Sequence, residues 1–297
     1  MGIIEQSQNI NMNDYSELVP LQEKQLEILS YVKTFCDQYD IKWVLSYGSA
    51  LGARRHGGHI PWDDDIDISM TSEEYNKFRE LFFKYGDQDR FYLQERICVD
   101  GMYIMPKLRM NGTTFIEESI KDLDIHHGIY IDIFILHHAP MNPISRLYGF
   151  LLNLYLCLKL LSDQGYNKRK AVKPVIILLQ LLPKNFGLKY ILKFQYKYDC
   201  KDSDYLTDWC LLAKFIDKNY IFPTKNLMYD EIEVYVPNQI EKYLELLYGE
   251  WQKLPDIENI KWSQHAYKWS ASEDFRKYTK NVINFSDEMG AKINRKV

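Results

Sequence analysis

Residues 60–70 read Ile60-Pro61-Trp62-Asp63-Asp64-Asp65-Ile66-Asp67-Ile68-Ser69-Met70, and the fold turns on how they are read. From Asp63 to Met70 the residues alternate, and a period of two marks a strand with two unlike faces. On such a strand Asp63, Asp65 and Asp67 share one face, while Ile66 and Ile68 share the other. Three carboxylates on one short face repel each other, and folding tolerates this when a cation sits among them. Hard divalent ions take oxygen ligands, and Mg2+ combines one or two carboxylates with substrate phosphates. Asp65 and Asp67 are therefore the expected ligands of Mg2+ or Mn2+, with Asp63 as a further ligand or a support. The bland alternative is a solvated acidic turn with Asp63 and Asp64 facing water. The apolar strand residues that follow directly weigh against it.

Upstream, Gly48-Ser49 closes a short apolar run, Ile41 to Ser46, and opens a helix that continues to Arg55. Glycine permits close backbone approach, a serine hydroxyl donates, and the free N–H groups of a helix start attract phosphate. A Gly-Ser pair alone carries nothing; its value comes from the acids downstream. A third carboxylate is expected on a neighbouring strand. Asp132, in Gly128-Ile129-Tyr130-Ile131-Asp132-Ile133-Phe134, is an acid inside an apolar run, which is costly to bury without a partner. It could ligate the metal or take a proton from an acceptor hydroxyl. The alternative is a salt bridge to a buried lysine or arginine. Arg54, Arg55 and His56 stand near the expected phosphate site, and Lys107 and Arg109 lie on a strand before Asn111-Gly112. Any of these could neutralise a diphosphate, or equally serve the surface.

The rest of the chain frames these residues. Apolar residues from Leu21 to Tyr39 recur at three- and four-residue spacing, so a helix is expected there. His56 to Pro61 is a loop, and Ser72 begins a helix that ends near Gly86. Strand-like runs follow at Phe91 to Ile97, Tyr103 to Arg109, Thr113 to Ile116 and Ile129 to Leu136, with Asn111-Gly112 as a hairpin turn. After Pro140 the texture changes: Arg146 to Ile216 is helical in pattern, broken by Pro174, Pro183 and Gly187. A strand pair is expected within Leu227 to Val236, then a helix capped by Asn238 over Ile240 to Tyr248. The expected organisation is a polar leader over 1–17, an α/β core over 18–140 and a mainly helical region over 141–297 packed on it.

Composition sets the class. The chain has 297 residues, 46% apolar and 26% charged, as a globular protein does. Its net charge of −4 argues against a nucleic-acid binder, which shows a basic face. Five dispersed cysteines without C-x-x-C spacing read as reduced packing thiols of a cytosolic protein. The first fifteen residues have no apolar signal core, and no run reaches the length of a membrane span. The nearest, Leu147 to Leu161, reads first as a buried helix. The sharper reading is a helix lying on the inner membrane face, a peripheral contact.

The quoted residues resemble the LicD family of phosphocholine transferases, a branch of the nucleotidyltransferase superfamily. Its pattern, G-[ST]-x-L-G-x-x-R-H and then I-P-W-D-D-D-I-D, is met by Gly48, Ser49, Leu51, Gly52, Arg55 and His56, and by Ile60 to Asp67. The Gly128 to Phe134 run also fits. So does a C-terminal signature: Val236-Pro237, Tyr243-Leu244, Tyr248-Gly249, Trp251, Leu254-Pro255 and His265. The resemblance spans about residues 25 to 265 and is thin over 141–220. It implies a nucleotidyltransferase-like mixed sheet flanked by helices, an α/β (α+β) fold. It also implies transfer of a phospho-alcohol, commonly phosphocholine, from a CDP-linked donor to a hydroxyl of a surface glycan or its lipid-linked precursor.

On this reading Mg2+ is held by Asp65 and Asp67, with Asp132 close by as general base. Gly48 and Ser49 hold phosphate, while Arg55, His56 and Lys107 steady its charge. Trp62 and Tyr103 are candidates for meeting a choline group by position alone, and core packing is the stronger reading of each. Three alternatives stay open. They are a CDP-ribitol or CDP-glycerol phosphotransferase, a small-molecule nucleotidyltransferase, and a non-catalytic scaffold of the same fold. An intact set of costly carboxylates argues against the last.

Overall fold

The computed structural model describes residues 12–95, 97–99, 102–117, 120–163, 173–183, 186–199, 203–209, 214–255 and 265–278. The first eleven residues of the expected leader lie outside these; Met12–Leu18 forms a 3-10 turn. Helix α1 (Val19–Gln38) follows, with Leu21, Ile28, Leu29, Val32, Phe35 and Cys36 buried on one face, as the spacing predicts. Then come β1 (Val44–Leu45), α2 (Tyr47–Arg55), β2 (Asp67–Thr71) and α3 (Ser72–Tyr85). The hydroxyl of Thr71 caps α3 by accepting the Glu74 N–H, one residue before the expected start.

Next are β3 (Phe91–Gln94), β4 (Ile97–Val99), β5 (Met102–Ile104), β6 (Lys107–Met110), β7 (Thr114–Glu117) and β8 (Tyr130–His138). The helices α4 (Pro143–Asp163), α5 (Lys173–Leu179) and α6 (Leu188–Tyr196) occupy the middle of the chain. They are followed by β9 (Tyr205–Thr207), β10 (Ile216–Asp217), α7 (Lys218–Ile221), β11 (Lys225–Tyr229) and β12 (Ile232–Val236). Helix α8 (Ile240–Tyr248) and β13 (Ala266–Ser270) complete the regular structure.

The central sheet runs β1-β2-β8-β6-β3, with β9 and β10 branching from the end of β8. Strand β2 is parallel to β8, and the other pairs are antiparallel. The fold is thus a mixed sheet with helices, as expected. Its core joins α1, α2, α3 and α8 to the sheet through Leu29, Phe35, Ala50, Ile68, Phe78, Ile133 and Leu244, among others.

Three local expectations are corrected. Asn111-Gly112 is a turn, with Gly112 at φ 73, but it does not join a hairpin. Strand β6 pairs with β3 and β8, while β7 leaves the sheet to pair with β13. A turn signal fixes the reversal, not the partner, and here long-range pairing decides. Helix α8 begins after Gln239, with no side-chain cap, so Asn238 does not cap it. The middle of the chain also yields β9 and β10, whose two or three residues are too short to show a period and exist through pairing. Cys36 and Cys157 are free thiols; the side chains of Cys98, Cys200 and Cys210 lie outside the described residues.

Candidate active site

The register of the central sheet assembles the site. Asp67 on β2 sits beside Asp132 on β8, and Asp132 sits beside Lys107 on β6. One polar row therefore crosses three apolar strands. Residues 63–66, by contrast, are not strand. They form a lead-in to β2, held by α1. Gln25 Nε2 donates to the Asp64 carbonyl at 2.7 Å and Gln22 Nε2 to the Asp63 carbonyl at 3.0 Å. The alternation nevertheless holds: Asp63, Asp65 and Asp67 line one cavity, while Asp64 and Ile66 are buried away from it.

Asp65, Asp67 and Asp132 each offer an oxygen, and these three atoms lie within 4.8 Å of one another. Asp63 lines the same cavity but stands outside this trio among the described residues; its Oδ2 lies against Gly48 instead. Asp64 does not face water. It is fully buried and accepts the N–H groups of His265 and Ala266 at 2.7 and 2.9 Å. His265 Nδ1 sits 3.1 Å from Asp64 and 3.4 Å from Asp65. The bond to Asp64 raises the imidazole pKa to about 9, so it is a cation at neutral pH. Strand pairing explains its arrival: β13 aligns Ala266 with Glu117 of β7, which carries the chain back to the acidic loop.

Lys107 settles the alternative raised for Asp132. Its ammonium lies 2.8 Å from Asp132 and 3.3 Å from Glu117, with all three side chains largely buried. It also rests 3.5 Å from the centre of the Tyr130 ring. Arg109 is wholly buried and donates to Gln94 and to the Gly128 carbonyl. Among the residues lining the cavity neither cation appears. Both act as internal counter-ions, and the expected placement of Lys107 on a diphosphate is corrected accordingly.

The electrostatic balance is informative. Asp63, Asp64, Asp65, Asp67, Glu117 and Asp132 outnumber Lys107, Arg109 and His265. Burial first, then mutual repulsion, raises the carboxyl pKa of Asp63 and Asp67 well above normal. Asp65 is raised to about 7, chiefly by burial, against the pull of His265. Asp132 is raised by burial despite Lys107. The donor set is all oxygen, crowded and under-neutralised, and it fits a hard divalent ion.

The cavity above the trio has a volume of about 630 Å3. Tyr47 and Gly48, at the start of α2, form part of its wall, and the first amides of a helix lack intrahelical acceptors. Tyr47 adopts φ 46, a left-handed conformation that a bulky residue takes only under constraint. Its N–H donates to the Tyr243 hydroxyl at 3.2 Å, and its own hydroxyl donates to Asp208. Aromatic rings of Tyr47, Trp62, Phe134, Tyr248 and Trp251 also line the cavity.

Comparison with known proteins agrees with this geometry. Residues 40–134 match the family model described as "LicD/FKTN/FKRP, nucleotidyltransferase domain". The lipopolysaccharide cholinephosphotransferase LicD of Haemophilus influenzae is 28% identical over 260 residues, 81% of this chain and 94% of that protein. Residues 40–134 thus resemble the nucleotidyltransferase domain of the LicD family. A shorter match, 36% identical over 55 residues, links the chain to the human ribitol 5-phosphate transferase FKRP, covering 18% of this chain and 11% of that protein. The mouse protein of that name matches to the same extent.

The LicD-family pattern gains physical content here. Gly52 is present because an added Cβ would lie 2.5 Å from the Gly58 carbonyl oxygen, so α2 packs directly on the loop leading to Ile60. Ser49 is buried and accepts the Asp67 N–H at 2.8 Å. It fixes the ligand strand, and it is Gly48 that meets the cavity. Arg55 lines the cavity and also straps the 251–253 turn, donating to the carbonyls of Trp251 and Lys253. His56 packs edge-on to Trp62. Burial beside Arg55 lowers its pKa to about 4, so it is neutral at pH 7 and contributes no charge to a phosphate.

His126 and His127 are buried and bond to Asn111, Gly128 and Leu123, away from the cavity lining. The Tyr103 side chain lies outside the described residues. Sequence reasoning missed the roles of Asp64, Glu117, Tyr47 and Tyr243. Asp64 stood inside the acidic run, and Tyr243 and His265 inside the C-terminal signature. Only the fold shows what they touch.

Proposed function

We propose that this chain transfers a phospho-alcohol, with phosphocholine as the favoured group, from a CDP-linked donor to a sugar hydroxyl. The observation that carries the reading is one cavity in which three clustered carboxylates, a helix start and aromatic rings meet. The names of the relatives support the class of reaction. The acceptor would be a surface glycan or its precursor, as the name of the Haemophilus influenzae relative suggests.

In the reaction, the acceptor oxygen forms a bond to the phosphorus that bears the alcohol. The bond from that phosphorus to CMP breaks, and CMP leaves with the electron pair. The hydroxyl proton passes to a carboxylate, which we assign as Asp132. Asp65 and Asp67 would hold Mg2+ or Mn2+, with Asp132 closing the trio. Such an ion supplies neutralisation of the diphosphate and of the departing CMP. The amides at Gly48 receive phosphate oxygens at the positive end of α2, and Arg55 adds a fixed charge at the cavity wall. Ser49 and Gln25 act through position by holding the backbone of Asp67 and Asp64. His265 and Lys107 hold Asp64 and Glu117 in place by ion pairing.

A quaternary ammonium group is recognised by aromatic faces, and Tyr47, Phe134, Tyr248 and Trp251 present such faces to the cavity. Uncharged ribitol or glycerol gains nothing from them beyond contact area. CDP-choline is therefore expected to bind at least about tenfold more tightly than CDP-ribitol or CDP-glycerol, from about 2 kcal/mol of desolvated cation–π attraction. Trp251→Ala should remove most of that preference. Calorimetric titration with each CDP-alcohol, followed by CMP release with Mg2+, reads this out. Equal or tighter binding of CDP-ribitol would contradict the choline assignment and favour the polyol-phosphate alternative.

A further inference from the structure

The middle helices carry a feature that the cavity does not use. On α4, Ile144, Leu147, Tyr148, Leu151 and Leu154 are exposed, Ile144 to 77% and Leu147 to 59%. Their spacing places them along one face of the helix. The opposite side of α4 is satisfied, with Leu156 packed against Leu188 and Ile191 of α6. An exposed apolar stripe of this kind marks an interaction surface.

The charge along this stretch of sequence is one-sided. From residue 143 to residue 199 the sequence holds ten lysines and arginines against Asp163 and Asp199 alone. The rest of the chain carries 27 basic and 39 acidic residues. On α6 the exposed positions are Lys189, Tyr190, Lys193, Tyr196 and Lys197. Ile144 and Tyr148 share a groove with Tyr190 and Lys193, and the hydroxyls of Tyr148 and Tyr190 meet at 2.7 Å. The apolar stripe of α4 and the Lys/Tyr face of α6 are thus one continuous surface. No helix among the described residues is long and apolar enough to cross a membrane.

We propose that the α4–α6 surface docks on an anionic lipid bilayer, lying in its interface. Leucines and isoleucine enter the acyl boundary, tyrosines sit at headgroup level, and lysines meet lipid phosphates. Charge complementarity selects this occupant. A basic patch on an otherwise acidic protein is repelled by a second copy carrying the same patch, and is attracted by a negative leaflet.

Vesicle flotation tests it, using phosphatidylcholine alone and phosphatidylcholine with phosphatidylglycerol. The full chain is expected to float with the anionic vesicles and to be released by salt. Leu147→Glu/Leu151→Glu and Lys189→Glu/Lys193→Glu should each reduce binding about tenfold or more. All four positions are exposed, so unchanged melting and CDP-alcohol binding should accompany the loss. Binding indifferent to lipid charge, or both variants binding like the unaltered protein, would overturn the proposal. So would a dimer in light scattering that Leu147→Glu/Leu151→Glu converts to monomer, since the face would then be a protein interface.

Discussion

Asp65→Asn and Asp67→Asn are each expected to lower transfer about a thousandfold while raising the melting temperature of the metal-free protein. The first half follows from the ion these carboxylates would hold, whose stabilisation of transferred charge is worth several kcal/mol, a factor of about a thousand. The second half follows from the pKa shifts. Asp67 is raised well above its ordinary value and Asp65 to about 7. A carboxyl with a raised folded pKa keeps its proton in the native state while the unfolded chain has already released one. Native stability therefore falls as pH climbs from about 4, the unfolded value, to about 7, the folded value of Asp65. Asparagine removes that decline. Melting curves at pH 5.5 and pH 8 without metal read it, and the variant's advantage should be larger at pH 8. A variant that melts below the unaltered protein at pH 8 would show that these acids are not in conflict.

Lys107→Met is expected to destabilise the fold by about 3–5 kcal/mol, the scale for removing one partner of a buried ion pair. Methionine keeps the stem but removes the cation that Asp132 and Glu117 contact at 2.8 and 3.3 Å, leaving only Arg109 near them. Adding Glu117→Gln should restore part of the loss, because one of the two stranded charges is gone. Urea unfolding of the single and double variants measures both effects. A loss below about 1 kcal/mol, the scale of an exposed pair, would mean that Lys107 is a solvated surface charge and not the counter-ion of the site.

What the sequence revealed, and what it hid, follows one physical line. Periodicity located α1, start and stop signals located α3 and α8, and an apolar run located β8; each packs on a common core. The acidic run pointed to Asp65 and Asp67, and the apolar run around Asp132 pointed to it as their partner; sheet register sets Asp67 beside Asp132, and Asp65 joins them from the segment before β2. The run left Asp63 open between ligand and support, and Asp63 lines the cavity outside the trio; it did not show what Asp64 touches. Residues 63–66 lie ahead of the strand, and their contacts come from distant residues, here Gln22, Gln25 and the amides of His265 and Ala266. Lys107 looked like a phosphate ligand because a lysine on a strand can serve phosphate or carboxylate alike; the neighbour across β6 and β8 decides. His265 is about two hundred residues from Asp64 in sequence, and no local pattern announces the β7–β13 pairing that brings it there. Ser49 was expected to hold phosphate, but it is buried and does not line the cavity. Its hydroxyl turns inward to the Asp67 amide, and nothing in a Gly-Ser pair fixes that direction.

The central claim is that Asp65, Asp67 and Asp132 are crowded in order to hold a divalent cation. Calorimetric titration of Mn2+ into the protein near pH 7, repeated in buffers of different ionisation heat, tests it most directly. The account predicts binding accompanied by proton release, because the ion displaces protons from carboxyls raised toward neutrality. It also predicts binding at least about a hundredfold weaker in Asp65→Asn and Asp67→Asn, more than loss of an outer-sphere partner produces. Equal Mn2+ affinity in the unaltered protein and both variants, or no binding by any of them, would contradict the account.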